Sequence, residues 1–283
     1  EISECLVGSE MCIRDRIMVA RAALHMWEEP CISGKEGSGA VFFSGCSLGC
    51  NFCQNRRISR GQRGKKITQE HLVELFFQLQ EQGANNINLV TAGHFLPQVA
   101  VALEMSKEQG LHIPVVYNSS GYEKAKTLKM LDGLVDIYLP DFKYMDAVLA
   151  KKYSHAQDYP EIAKEALSEM VRQVGEAEFD SRGMMKKGVI VRQLLLPGHV
   201  KDAKNVLKYL YETYGDRIYI SMMNQYTPMP VMKDDPQLSR KVTDREYERL
   251  IDYAISLGLK NGFMQEGETA KESFIPEFDG EGV

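Results

Sequence analysis

The sequence has no hydrophobic run long enough to cross a membrane, and it has no excess of positive charge. Its longest apolar stretches fall far short of the roughly 20 residues that a transmembrane helix needs, so no membrane span or membrane partner is expected. The formal net charge is −5, which argues against a nucleic-acid-binding protein whose affinity depends on neutralising phosphates. Both absences favour an ordinary globular protein.

Cysteine is sparse and unevenly distributed. The chain has 6 cysteines in 283 residues, and three of them are clustered, which is unlike the disulfide framework of a small secreted domain. This usage predicts a reducing, cytoplasmic location. The length allows one large domain or two small ones, but no linker or low-complexity segment divides the chain. We therefore predict a single domain.

The N-terminal residues 1–16 need separate treatment. The stretch 5–16 resembles, over its whole length, the in-frame translation of a transposase-type sequencing adapter. We exclude residues 1–16 from fold prediction, as for a fusion scar, and expect the native N-terminal segment to be missing. The alternative is a genuine disordered N-terminus. On the adapter interpretation, Cys5 and Cys12 are ligands of nothing and four cysteines remain.

After residue 16, apolar strands alternate with amphipathic helices at intervals of about 30 residues. Residues 17–27 are predicted to form a covering strand or helix. The other predicted strands are 40–44, 88–91, 114–118, 136–142, 189–196 and 218–223, with a short last strand at 261–265. The predicted helices are 68–82, 96–109, 122–131, 160–174, 201–214 and 243–257. Thr68 is a predicted N-cap, and Thr243 forms a predicted capping box with Glu246.

Six strand–helix units of this kind predict an α/β fold, a partial (β/α)6 TIM-type barrel, whose working residues lie at the C-terminal ends of the strands. Side-chain alternation places Asp141 and Lys143 on one face with Ile137 and Leu139. Arg192 shares a face with Ile190 and Leu194, and the last long strand is predicted to point Ile218, Ile220, Met222 and Asn224 inward. The side chains predicted at the mouth are Cys46, Thr91, Asn118, Asp141, Lys143, Arg192 and Asn224.

Three cysteines, Cys46, Cys50 and Cys53, follow the first of these strands at C-x3-C-x2-C spacing. Thiolates this close in an intracellular protein are normally metal ligands. Three thiolates hold three corners of a [4Fe–4S] cluster and leave the fourth iron open to a substrate or cofactor. The alternative is a structural zinc knuckle completed by Cys31 or a histidine, in a binding protein without catalysis.

This spacing, with the aromatic Phe52 directly before the third cysteine, resembles the radical S-adenosylmethionine (SAM) superfamily. From about Val19 onward the chain is similar to the uncharacterised homologues of pyruvate formate-lyase activating enzymes. The segments that carry this resemblance are 27–34, 43–46, 141–143, 196–198 and 223–229. It implies that residues 17–283 form one radical SAM barrel domain with an iron–sulfur cluster and SAM as cofactors. It also implies that a reduced cluster cleaves SAM to a 5′-deoxyadenosyl radical, which abstracts hydrogen from a substrate.

The resemblance implies roles for individual residues. Cys46, Cys50 and Cys53 are the cluster ligands, and no catalytic residue is expected beyond the cofactor sites. Lys143 pairs with the SAM carboxylate while Asp141 orients it. The remaining predicted SAM contacts are Phe52, Thr91, Asn118, Arg192 and Asn224. For Phe52 the alternative is core packing, and for Asp141, Lys143, Arg192 and Asn118 it is a structural ion pair or hydrogen bond.

One segment departs from the family pattern. Activating enzymes carry a Gly-Gly-Glu-type motif after the second strand, and this motif binds the methionine amino group. This chain has Thr91, Ala92, Gly93 and His94 there. Thr91 and nearby carbonyl oxygens are the expected substitutes, and His94 is a candidate for direct contact with cofactor or substrate.

The predicted function is that of a radical SAM oxidoreductase of activating-enzyme type, which installs a glycyl radical on a partner protein. It would need a one-electron donor such as flavodoxin or ferredoxin. A second hypothesis keeps the radical chemistry but acts on a small molecule or another protein or peptide side chain. A third is a zinc- or cluster-stabilised binding protein without catalysis.

Overall fold

Residues 17–265, 276 and 278–283 are described by the computed structural model of the protein. The stretch 1–16, with the predicted adapter sequence and Cys5 and Cys12, lies outside the described residues. Within the described part, no helix combines the length and the apolar character that a membrane span requires.

A mostly parallel sheet forms the framework. Its strands are β1 (Ile17–His25), β2 (Ser38–Phe43), β3 (Lys65–Ile67), β4 (Ile87–Val90), β5 (Val115–Ser119), β6 (Ile137–Pro140), β7 (Glu178–Phe179), β8 (Met185–Leu194), β9 (Tyr219–Met223) and β10 (Gly262–Met264). The order is β10-β9-β8-β6-β5-β4-β2-β1-β3, with β7 paired to β8. From β2 to β10 along this order the strands run parallel, whereas β1 is antiparallel to both β2 and β3. Among the described residues no pairing joins β10 to β3, so the barrel is partial.

Helices connect the parallel strands, as the alternation predicts. They are α1 (Pro30–Ser33), α2 (Arg56–Ser59), α3 (Gln69–Glu81), α4 (Leu96–Glu108), α5 (Ala125–Leu128), α6 (Ala147–Ser154), α7 (Tyr159–Val174), α8 (Val200–Tyr214) and α9 (Asp244–Leu257). The Thr68 side chain accepts from the His71 amide, and the predicted capping box of Thr243 and Glu246 is present. The α/β class and the partial barrel are therefore confirmed.

Two helices differ from the prediction. The third predicted helix is reduced to α5 and a 3-10 turn at Lys129–Leu131, because Tyr122 and Glu123 are held in other contacts. The Tyr122 hydroxyl donates to Asp158, and Glu123 accepts from Ser119. Helix α6 was not predicted at all, although Asp146 caps it by accepting from two amides of its first turn.

The base of the barrel is apolar. Val116, Ile137, Leu139 and Ile190 point inward and pack against Cys31 and Ile32 of α1. This packing confirms the predicted inward face of β6 and β8. The outward residues of the same strands belong to the large cluster under the helices, which includes Tyr117, Tyr138 and Val191.

The predicted inward face of β9 is wrong. Ile218, Ile220 and Met222 belong to the large cluster under the helices, while Tyr219 packs on the barrel interior. Since side chains alternate along a strand, an error of one residue in phase moves every side chain to the other face. The apolar residues of β9 are buried by the helices rather than by the barrel interior.

Gly121 permits a close approach of two strand ends and provides a test of the fold. Its φ of +73° is left-handed, and a Cβ there would overlap the backbone carbonyl oxygen of Asp141. Gly133 has a similar φ of +77° but faces open space, so it is the matched control.

Gly133→Ala costs only left-handed strain, about 1–2 kcal/mol. We expect Gly121→Ala to lower the free energy of unfolding by about 1–3 kcal/mol more than this, because the clash adds overpacking. Urea denaturation of both variants measures the difference, and equal losses would contradict it.

Candidate functional site

The three clustered cysteines lie on the wall of one cavity. The cavity has a volume of ≈ 250 Å³ and opens at the C-terminal ends of the parallel strands. Cys50 is buried, and Cys46 and Cys53 are half-buried. The C-x3-C-x2-C loop begins just after β2, so the strand delivers all three sulfur atoms to this edge, as the spacing predicts.

A cluster and a single metal ion place different demands on the three thiols. Among the described residues, no three His, Cys, Asp or Glu side chains are gathered as ligands of one ion. A zinc site requires three or four ligands at about 2.0–2.3 Å from one ion. In a [4Fe–4S] cluster each thiolate binds a different iron, so the sulfur atoms stay apart. Cys31 lies in the apolar base of the barrel and does not line the cavity, so it does not complete a zinc knuckle.

Burial controls the protonation of the free thiols. It raises the pKa of Cys50 to about 11 and also raises the pKa of Cys53, while the nearby positive charge of Lys143 opposes both shifts. The thiols of Cys50 and Cys53 are therefore protonated at neutral pH in the absence of metal. Because metal ions bind the thiolate form, binding of a metal to these two cysteines would release protons.

A buried chain of hydrogen bonds ends at Cys50. The Ser154 hydroxyl donates to Cys50 Sγ over 3.0 Å, and the Tyr144 hydroxyl lies 2.8 Å from Ser154 Oγ. A metal-bound thiolate only accepts, so it takes the single proton of Ser154, and Tyr144 must then donate to Ser154. Both residues are buried. Sequence reasoning missed this chain because Ser154 ends α6, which was not predicted.

Largely buried charged side chains that line the same cavity form one network around Asp141. Lys143 Nζ donates to Asp141 Oδ2 over 2.6 Å, and Arg192 Nε donates to Asp141 Oδ1 over 3.1 Å. Arg192 also donates from Nη1 to Glu28 over 3.2 Å and from Nη2 to Asn118 over 2.6 Å. Each nitrogen of the guanidinium group therefore has a protein acceptor. Lys143 donates one side-chain hydrogen bond within the described part of the chain, which leaves protons for a ligand.

The network sets the charge states of its members. Burial alone would raise the pKa of Asp141, but the positive charges of Lys143 and Arg192 outweigh it and hold the pKa below its usual value. Burial likewise opposes the charged form of Lys143, yet the Asp141 carboxylate raises the pKa of the amine above its usual value. Burial raises the pKa of Glu28 despite the neighbouring Arg192. Lys143 is thus a permanent cation on the cavity wall.

The structure brings most of the predicted cofactor contacts together. The residues of this set that line the cavity are Phe52, Thr91, Asn118, Asp141, Lys143 and Arg192. Phe52 is buried, with its ring centroid 6.1 Å from that of Tyr226 and 6.4 Å from that of Tyr153. Thr91 has a left-handed φ of 61°. Its strained backbone turns the chain at the end of β4.

Two predicted residues are not on the cavity wall. Because the two faces of β9 are exchanged relative to the prediction, Met223 lies on the wall instead of Asn224. The backbone N–H of Asn224 donates to Gln265 Oε1. His94 is exposed and does not line the cavity. Its ring covers Gly45, where a Cβ would lie 2.8 Å from His94 Cδ2.

Several cavity residues were not predicted. His25, Trp27 and Glu28 come from the end of β1 and the turn after it, and Gln225 and Tyr226 follow β9. Glu28 is nearly buried and also accepts from Asn88 Nδ2 over 3.0 Å. Its position in the segment 27–34, which carries the family resemblance, was the signal available in the sequence.

Comparison with known proteins places the site in a family. Residues 40–180 match the profile described as "Radical SAM superfamily". An uncharacterised protein of Methanocaldococcus jannaschii is 26% identical over 237 residues, which cover 82% of this chain and 65% of that protein. The pyruvate formate-lyase-activating enzyme of Clostridium pasteurianum is 30% identical over 111 residues, which cover 38% of this chain and 45% of that enzyme. The chain thus spans less than two thirds of the length of both relatives.

The fold is shared with solved structures as well. The crystal structure of methylornithine synthase superposes on this chain with a TM-score of 0.55 at 12% sequence identity. The superposed residues cover 87% of this chain and 72% of the synthase chain. At such low sequence identity, the structural similarity supports a shared fold and nothing further. The profile match, however, contains most of β2, the cysteine loop and the strands β4 to β6, which shape the cavity. The chain belongs to the radical SAM superfamily.

Proposed function

We propose that this protein is a radical SAM enzyme that holds a [4Fe–4S] cluster on Cys46, Cys50 and Cys53. The observation that carries the proposal is the placement of these three cysteines, without a fourth among the described residues, on the wall of one cavity. When bound, the cluster supplies an electron for cleavage of SAM to a 5′-deoxyadenosyl radical, which abstracts hydrogen from the substrate.

The chain's own side chains bind and orient the cofactor. Asp141 fixes Lys143 Nζ on the cavity wall, where the cation suits the SAM carboxylate. The rings of Phe52 and Tyr226 form an apolar wall suited to the adenine base. Arg192 is engaged with Asp141, Glu28 and Asn118, so it braces the network and is a weaker candidate for direct contact with SAM.

For the substrate, we propose the activating-enzyme type, in which a glycyl radical is installed on a partner protein. The support is the partial match to the Clostridium pasteurianum enzyme. Radical chemistry on a small molecule or another peptide side chain is the second candidate. A flavodoxin or ferredoxin as electron donor and a cytoplasmic location complete the proposal. A non-catalytic zinc protein is disfavoured, because Cys31, the fourth cysteine of the described residues, lies at the apolar base and does not line the cavity with the other three.

Reconstitution tests the reaction itself. The protein, loaded anaerobically with iron and sulfide and reduced with dithionite, should convert SAM to 5′-deoxyadenosine and methionine, measured by chromatography. A glycyl radical signal in electron paramagnetic resonance should follow on addition of a glycyl radical enzyme encoded beside it. Absence of SAM cleavage by the fully loaded protein would overturn the proposal, whereas cleavage without a glycyl radical would favour the second substrate class.

If the three clustered cysteines are the cluster ligands, replacing any one of them should have a different effect from replacing Cys31. Replacing Cys46, Cys50 or Cys53 by Ala should abolish SAM cleavage and lower the iron content, because one corner of the cluster is lost. Cys31→Ala is the control, since Cys31 is buried at the apolar base, and it should retain a full cluster. Iron analysis and absorbance spectra measure the loading. A fully active variant of any of the three would refute the assignment.

Lys143 should matter for SAM binding rather than for cluster loading. A charge-assisted hydrogen bond contributes about 1.5–3 kcal/mol, so Lys143→Ala should weaken SAM binding by about 10- to 150-fold. Equilibrium binding of SAM to the loaded, unreduced protein measures this change. Lys208→Ala, an exposed lysine on α8 paired with Glu212, is the control. Unchanged affinity of the Lys143 variant would count against its role at the carboxylate.

The Ser154 hydroxyl should raise the reduction potential of the cluster. A hydrogen bond to a ligand sulfur favours the reduced, more negative state. Its net contribution of about 0.5–1.5 kcal/mol corresponds to about 20–60 mV, so Ser154→Ala should lower the midpoint potential by that amount. Tyr144→Phe, which removes the donor to Ser154, should cause a smaller shift in the same direction. Ser106→Ala is the control, because Ser106 is buried and donates to a helical carbonyl of α4. Redox titration that finds no shift for Ser154→Ala would contradict this role.

A further inference from the structure

A basic segment directly follows the cysteine loop in an otherwise acidic chain. No Asp or Glu occurs between Glu36 and Glu70, although the net charge of the whole chain is −5. The cations in this interval that follow the loop are Arg56, Arg57, Arg60, Arg63, Lys65 and Lys66. Positive charge is therefore concentrated beside the loop that carries the three thiols.

Most of these cations face solvent. The exposed side chains of Arg57, Arg60, Arg63, Lys65 and Lys66 are called the basic surface below. Within the described part of the chain, no Asp or Glu side chain forms a salt bridge with any of them. Exposed arginines usually carry solvated charge without a partner, so the composition alone decides nothing. What supports a function for the basic surface is its position beside the cysteine loop.

The basic segment lies directly against the cysteine loop. Arg60 Nη2 donates to the Gly49 carbonyl oxygen over 2.8 Å, and Arg56 Nη1 donates to that of Asn51 over 3.4 Å. These carbonyl groups belong to the residues on either side of Cys50. Anything bound to the basic surface is therefore next to the backbone that holds the proposed cluster.

We propose that the basic surface is the docking site for the acidic face of a small one-electron carrier protein. This inference rests on the proposed function, which requires an electron to reach the cluster. The reduced carrier loses one electron and the cluster gains it, and no covalent bond forms or breaks. Electron-transfer complexes bury little surface, so charge complementarity rather than apolar area directs their encounter. The carrier approaches the outer side of the loop, while the substrate must enter the cavity.

The test compares protein and chemical reductants on the same loaded enzyme. In the variant Arg57→Glu/Arg63→Glu, both changed residues are exposed, and neither side chain donates a hydrogen bond to the cysteine loop. Reduction of the cluster by reduced flavodoxin, followed by stopped-flow absorbance, should slow by about tenfold or more at low salt. The rate should also depend less steeply on ionic strength. Reduction by dithionite should be unchanged, because a small reductant needs no docking surface.

The matched control makes the same change of charge at the other end of the barrel. Lys35 and Lys186 are exposed at the N-terminal side of the strands, and Lys35→Glu/Lys186→Glu should leave both rates unchanged. Equal slowing in the control and the test variant would overturn the proposal, as would an unchanged flavodoxin rate in the test variant. Equal slowing with dithionite would also overturn it, since the arginines would then be structural.

Two further outcomes separate this inference from its alternatives. Tight binding of an RNA oligonucleotide that is lost in Arg57→Glu/Arg63→Glu, with an unchanged flavodoxin rate, would assign the surface to nucleic acid and overturn the proposal. If wild-type protein accepts electrons from flavodoxin through these arginines but cleaves no SAM, the proposed function fails and the docking surface stands.

Discussion

The upper half of the barrel depends on one carboxylate that pairs with two cations. Asp141 accepts from Lys143 and Arg192, and all three side chains are largely buried. Removing charged groups from water is costly, and their mutual attraction offsets this cost only when the geometry and hydrogen bonds are good. Here both oxygens of Asp141 are used, one for each cation. Loss of the carboxylate would leave two buried positive charges without their partner.

The same pairing joins distant parts of the chain. Arg192 on β8 reaches Asn118 at the end of β5 and Glu28 after β1, so strand ends far apart in sequence are fixed around one guanidinium group. The backbone repeats the connection, because the Phe142 amide donates to the Arg192 carbonyl oxygen over 2.8 Å. The cavity therefore has a rigid charged wall before any cofactor binds. Pre-organisation of this kind is what a binding site requires, because no reorganisation is then needed on binding.

Much of this arrangement follows from the sequence, because it depends on local periodicity. Alternation along β6 and β8 suffices to place Asp141, Lys143 and Arg192 on the cavity wall. Asn224 was misplaced because large apolar or aromatic side chains occur on both faces of 218–223, so periodicity does not determine which face the helices bury. Glu28 was missed for a different reason. Its contact with Arg192 spans 164 residues, and no local pattern predicts a pairing over that distance.

The charged wall and the cysteine loop are linked by Lys143. Its charge raises the stability of a thiolate at Cys50, and a thiolate there raises the pKa of the lysine in turn. Burial opposes both charged forms, but the attraction between the opposite charges makes each group more readily charged when the other is charged. In the proposed enzyme Cys50 is held as a thiolate, and its negative charge then acts on Lys143 in the same direction as that of Asp141. The cation proposed to bind the SAM carboxylate is therefore stabilised by two negative groups, Asp141 beside it and the thiolate of Cys50.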